Sequence, residues 1–299
     1  MHMVFTRERN PDSIANANQK ATAVVLIPSA GLANRMRAVD SAMTVCERIR
    51  RPLEIVWTRH PGTLPVRFSD LFEPLSSNGV SLHEVRWFET PLYGHLPLRG
   101  GHIITEFVQK AVFGKRRLAL SRPVFLMSRE GTIPPQFFMA DSRVLVNCGC
   151  QLVPTEKRFS MFIPLPALRS RIDAQLADLP APRLGIHIRR GDHKRSIEHS
   201  PTSLFKDAIR RELDSGRFRS VFLASDSAEE KKAIRDAFGP IIVEQDAPLN
   251  RVSRAGIEAA VVDLWTLSNC DTVLGSSGST FAETAAWMGQ CRYRTLEIG

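Results

Sequence analysis

Residues 185–195 read GIHIRRGDHKR, which places Arg189, Arg190, Arg195, Lys194 and two histidines on or directly behind an apolar run. Strands of α/β sheets deliver ligand-binding loops at their carboxyl ends. Three arginines within seven residues repel one another unless an anion sits among them, and the planar guanidinium fork suits a diphosphate. Gly191 lets the backbone turn sharply, and Asp192 can fix the orientation of Arg189 or Arg190. An Arg–Asp pair at a strand end is also a common surface salt bridge of small energetic value. A diphosphate pocket therefore needs a second element. The stretch GSSGSTFAE, Gly275–Glu283, supplies one. Ser276, Ser277, Ser279 and Thr280 lie with two glycines between an apolar run and a helical pattern, where free N–H groups make an anion cradle. Helix capping by Ser279 or Thr280 explains one of these hydroxyls and leaves the others unexplained.

Other chemistries leave no trace. No two aspartates are separated by a single residue, so the Asp-x-Asp clamp that holds a metal–diphosphate in many sugar transferases is absent. There is no HExxH zinc pattern and no GxSxG nucleophile elbow. The loop SAGLANR, residues 29–35, lacks both the full GxGxxG and the Walker lysine–hydroxyl pair. No metal site is expected. A departing diphosphate must be stabilised by arginine and helix-terminal N–H groups.

These loops need elements to hold them. AVVLIP (23–28) reads as a buried strand, and Met36, Val39, Met43, Cys46 and Ile49 fall at helical spacing after the SAGLANR loop. LEIVW (53–57) follows as a second strand, so a parallel pair with a right-handed crossover is expected. Between about 60 and 165 prolines and glycines interrupt the pattern, with strands predicted at PVFLM (123–127) and RVLVNCG (143–149). From 166 onward the alternation is regular. Helices are predicted at 167–179, 202–215, 228–238, 254–269 and 280–288, interleaved with strands RLGIHI, SVFLAS, IIVEQ and TVLG. Alternating short apolar strands and helices specify a parallel, doubly wound sheet. The expected fold is α/β: two Rossmann-like lobes with parallel sheets facing a central cleft. The boundary falls near residue 165, at FIPLPAL, giving lobes of 1–165 and 166–299.

At 299 residues, 43% hydrophobic and 24% charged, the chain has the composition of a globular protein with ample core. No run approaches the roughly 18 unbroken apolar residues of a membrane span. The polar start has no apolar signal-peptide core, and five scattered cysteines fit a reducing compartment. A cytoplasmic location is the expectation. Net charge is +9, and 32 of the 40 basic residues are arginine, which favours anionic partners. Nucleic acid is the remote alternative, resting on GKRR at 114–117 and Arg210–Arg211. With 7% aromatics and no RNP, KH or zinc-knuckle pattern, nucleic acid is not an expected partner.

Together these motifs resemble the α1,2-, α1,6- and protein O-fucosyltransferase superfamily. HIRRGD (187–192) is similar to its HxRR-type motif, and VVDLWTLSNCDTVLGSSGSTF (261–281) to its second peptide motif. FLASDS resembles its strand ending in an aspartate, here Asp226, and GLANR its Gly-x-x-Asn loop. The resemblance implies a GT-B-like, metal-independent, inverting enzyme. Such an enzyme moves fucose from GDP-fucose to a hydroxyl of a glycan or protein, with the nucleotide sugar as substrate and no cofactor. It implies that His187 contacts the guanine region and that Arg189 holds the β-phosphate and the glycosidic oxygen. Arg190 would support the diphosphate, and Asp263 would read guanine N–H groups. Ser277, Ser279 and Thr280 would form the phosphate loop, while Asn34 and Asp226 would join the donor site. Glu198 lies one residue beyond the place of the α1,6 branch's catalytic glutamate and is the expected base, with Asp192 in reserve. Two readings stay open beside it: another nucleotide sugar on the same fold, and a relative that binds without catalysis.

Overall fold

The computed structural model describes residues 22–75, 77–94, 101–120, 142–153, 155, 159–191, 194–250 and 252–298. Two parallel sheets organise them. The first is built from β1 (Val24–Pro28), β2 (Leu53–Trp57), β3 (Val80–Glu84), β4 (Arg117–Leu120) and β5 (Val144–Cys148), in the order β3-β2-β1-β5-β4. Its helices are α1 (Leu32–Arg48), the single turn α2 (Thr90–Tyr93) and α3 (Gly101–Phe113). β1 is buried at all five positions because strands covered on both faces must be apolar throughout. Val25, Ile27, Val56, Tyr93, Phe113 and Leu145 form its core.

The second sheet comprises β6 (Arg183–Ile188), β7 (Ser220–Ser225), β8 (Ile242–Glu244), β9 (Thr272–Ser276) and β10 (Arg292–Leu296), in the order β10-β9-β6-β7-β8. Its helices are α4 (Pro166–Ala177), α5 (Lys194–His199), α6 (Thr202–Asp214), α7 (Ala228–Phe238), α8 (Arg254–Ser268) and α9 (Thr280–Gly289). The chain winds outward from β6 to β8, then returns to place β9 on the other side of β6. That reversal makes the carboxyl ends of β6 and β9 the switch point where an open parallel sheet binds ligands. Leu184, Ile186 and Ile188 face α6 and α7, packing on Phe205, Ala208, Ile209 and Ile234. Burying each such side chain contributes about 1.5–3 kcal/mol. The alternate residues Gly185 and His187 face α8 and α9. A Cβ on Gly185 would lie 3.0 Å from Leu267 and 3.1 Å from the Cys270 sulfur, so the glycine sets how closely α8 packs.

The chain packs as two compact units. The second gathers Ala30–Arg37 and Arg59–Pro74 with Lys157–Gly299. The FIPLPAL segment, predicted to be a linker, is part of its packing. Phe162 is buried against Phe68 and Phe72, and the Leu165 amide donates to the Leu71 carbonyl at 2.9 Å. The strand predicted at PVFLM lies outside the described residues. None of the helices among the described residues is long and apolar enough to cross a membrane.

Candidate functional site

The end of β6 is pinned from both sides. Ser225 at the end of β7 donates its hydroxyl to the Ile188 carbonyl at 2.8 Å, and the Arg189 amide donates to the Ser276 hydroxyl of β9 at 2.9 Å. Gly191 adopts φ +43, and a Cβ there would stand 2.9 Å from Asp226 Oδ2. The Arg189 guanidinium pairs with that oxygen through Nη1. The other Asp226 oxygen accepts from the Arg190 amide at 2.7 Å. Asp226 thus holds the arginine loop by both oxygens, the orienting duty expected of Asp192. Asp192 itself lies outside the described residues.

His187 is 7% exposed, stacked on Phe281 at 4.8 Å, with Nδ1 3.0 Å from the Ser279 hydroxyl. Ser279 caps α9 and accepts from the Ala282 amide. The Thr280 and Phe281 amides belong to a first turn, where N–H groups have no intrahelical acceptor. Gly278 supports this turn at φ +72. A polar cluster gathers around the buried Gln245. Asp263 of α8 accepts at Oδ1 from Gln245 Nε2 at 2.8 Å. Arg171 donates to Gln245 Oε1 at 2.7 Å, which fixes the direction of the amide. Lys231 Nζ donates to the Gln245 carbonyl at 2.8 Å. Burial pushes the Asp263 carboxyl up to about 6, against the opposing pull of Lys231, the Gln245 hydrogen bond and Arg171.

His187, Arg189, Asp226, Lys231, Gln245, Asp263 and Ser279 line one cavity of about 310 Å³ within the second unit. Seven of the sequence-predicted site residues line it: Asn34, His187, Arg189, Asp226, Asp263, Ser279 and Thr280. Asn34 sits in the first turn of α1, which starts at Leu32, inside the segment predicted to be a loop. The turn before it is held by the buried Arg35, whose Nε donates to the Ala30 carbonyl at 2.9 Å. Burial lowers that guanidinium to about 10.

Three predicted residues stand off the cavity. Arg190 is turned to Glu230 at 2.7 Å and to Thr202 at 3.4 Å. Ser277 donates to Glu297 at 2.6 Å, and its amide and carbonyl are taken by Ser200 and Ser196. Ser196 on the short helix α5 and Ser200 just after it are buried, and Glu198 between them is exposed. Lys231 and Gln245 line the cavity without having been predicted. The available signal was a lysine three residues before Ile234, on the apolar face of α7.

The cavity wall thus carries Arg189 with Asp226, the α9 turn at Ser279 and Thr280, and the Lys231 and Asp263 groups tied to Gln245. Among the described residues no group of three or more His, Cys, Asp or Glu gathers as a metal site would. Two parallel sheets of Rossmann type, one in each unit, make this a GT-B-like α/β fold. Among solved structures it is similar to NodZ, an α1,6-fucosyltransferase from Bradyrhizobium, in crystals soaked with GDP-fucose. The TM-score is 0.60 at 20% identity, covering 90% of this chain and 93% of that one. POFUT1 in complex with GDP aligns at a TM-score of 0.56 and 13% identity, covering 93% of this chain and 99% of that one. No protein-family model matches the chain, and no curated protein matches it by sequence.

Proposed function

We propose that this chain is a metal-independent, inverting glycosyltransferase that moves fucose from GDP-fucose to a hydroxyl of a glycan or protein acceptor. The observation that carries the proposal is the convergence of seven predicted residues on one cavity at the switch point of a parallel sheet. The likeness in fold to fucosyltransferases crystallised with GDP and GDP-fucose supports it.

In this mechanism guanine lies at Asp263, and the diphosphate lies at Arg189, Ser279 and Thr280, the turn that also holds His187. Asn34 reaches the phosphates or the sugar. Asp226 holds the Arg189 fork in register. The acceptor oxygen attacks the anomeric carbon from the side opposite GDP, and its proton passes to a base that the cavity lining does not include, for which Glu198, exposed on α5, is the candidate. The glycosidic C–O bond breaks, and its electron pair leaves with the β-phosphate. Charge developing there meets Arg189 and the α9 amides, which are already in place, so no reorganisation is needed during the reaction. Arg190, through Glu230, braces the loop from behind.

The test is release of GDP from GDP-fucose, GDP-mannose and UDP-sugars, followed by an acceptor array with the preferred donor. Turnover of GDP-fucose above the others is expected. Turnover of a UDP-sugar with GDP-fucose inert would overturn the donor assignment.

A further inference from the structure

We infer that Lys231 is a second base-reading residue, donating from its ammonium to O6 of guanine while Asp263 accepts from the neighbouring N–H groups. The inference rests on the guanine assignment made under Proposed function and adds to it a residue that no motif marks. Lys231 is 7% exposed, which is rare for a lysine without a paired or ligating role. It lines the cavity together with Asp263. Among the described residues its ammonium makes one hydrogen bond, to the Gln245 carbonyl, and an ammonium carries three donors. Donors at a cavity wall call for an acceptor in the cavity.

Gln245 sets the spacing of the pair. Its carbonyl takes Lys231, and its side-chain amide takes Asp263 Oδ1, with Arg171 fixing which end of the amide points where. A donor and an acceptor at the cavity wall are thereby both tied to one residue. The Watson–Crick edge of guanine presents the complement, the acceptor O6 beside the donors N1–H and N2–H₂. Adenine presents the reverse order: its 6-amino donor would meet the ammonium and its N1 acceptor would meet the carboxylate. Specificity gains most when the wrong ligand leaves buried polar groups unpaired. The Lys231–Asp263 pair penalises adenine at both positions.

The experiment compares GDP with 6-thio-GDP, whose sulfur is a poor acceptor at the same position, by calorimetry on the wild type and on Lys231→Met. The wild type is expected to favour GDP about 10-fold or more, as for a charge-assisted hydrogen bond. Lys231→Met should lower GDP affinity about 10- to 100-fold and bind the two nucleotides equally. IDP, which lacks only the 2-amino group, should lose affinity through Asp263 and keep its full sensitivity to Lys231→Met. A wild type that binds GDP and 6-thio-GDP alike overturns the proposal without any variant. So does a Lys231→Met protein that keeps the wild-type ratio. Failure of the wild type to bind GDP at all is a distinct outcome and removes the guanine assignment itself.

Discussion

Arg189 combines charge with a planar fork, and the two separate experimentally. Lysine keeps the charge but cannot hold two oxygens of a diphosphate at once. Contacts to the leaving diphosphate strengthen as the sugar departs, so Arg189→Lys should lower kcat about 100-fold or more while GDP affinity falls less. Steady-state kinetics beside a GDP titration checks this, and a kcat near wild type removes Arg189 from the reaction. Asp263 makes a prediction in two directions. Its carboxyl is raised to about 6 by burial, so ionising it costs the folded protein more than the unfolded chain. The penalty is absent below the ordinary carboxyl range and present in full above about 6. Asp263→Asn should therefore raise the Tm of the free protein at pH 7.5, by a free energy on the order of 1–3 kcal/mol, and leave it little changed at pH 4. The same substitution should weaken GDP, because the acceptor for guanine N–H groups is gone. In the wild type GDP affinity should fall as pH drops through 6, and a pH-independent affinity between 5 and 8 would contradict the assignment. Glu198 is tested by Glu198→Gln. Loss of kcat with GDP affinity intact is expected, whereas full activity assigns the acceptor proton elsewhere.

At the scale of elements, the site depends on how closely β9 and α9 approach. A Cβ on Gly275 would fall 2.6 Å from the Ala282 Cβ in the first turn of α9 and 2.9 Å from the Tyr293 hydroxyl. Gly275→Ala should lower stability by about 1–3 kcal/mol and weaken GDP in parallel, since relief requires the helix N-terminus to move. Thermal unfolding and GDP titration of the same preparation check both, and an unchanged Tm would show that the approach tolerates a methyl group. Elements such as β6, β7 and α8 were legible because buried strands are apolar runs and helices carry apolar residues at regular spacing. β10 was not: it reads RYRTL, an edge strand with two arginines and a mostly half-exposed pattern. β3 is likewise an edge strand, read as VSLHE. α5 is six residues long, and its one buried side chain is Ser196, which with Ser200 just beyond the helix bonds the Ser277 backbone instead of filling an apolar core. The two anion-facing loops were legible because glycine, serine and arginine mark strand ends. The partner of Arg189 was not, because Asp226 comes from the next strand and its pairing is set by sheet order, not by sequence distance.

At the scale of the whole molecule, both sheets are parallel throughout, and each reverses its winding beside its first strand. The second sheet's reversal brings together β6 and β9, whose loops are more than 80 residues apart in sequence and were each ambiguous alone. Positive charge at this site comes from Arg189, Lys231 and a helix N-terminus, and the sequence contains no Asp-x-Asp pair to hold a metal on the diphosphate. Turnover and GDP binding should therefore be unchanged in EDTA, and restoration of lost activity by Mg²⁺ or Mn²⁺ would overturn metal independence. Calorimetric titration of the purified chain with GDP, ADP and UDP in EDTA tests the donor assignment most directly. Saturable binding of GDP is expected, about 10-fold or more tighter than ADP because adenine has no N1–H or 2-amino group to donate to Asp263. Equal affinity for GDP and ADP, or no binding of GDP, would contradict it.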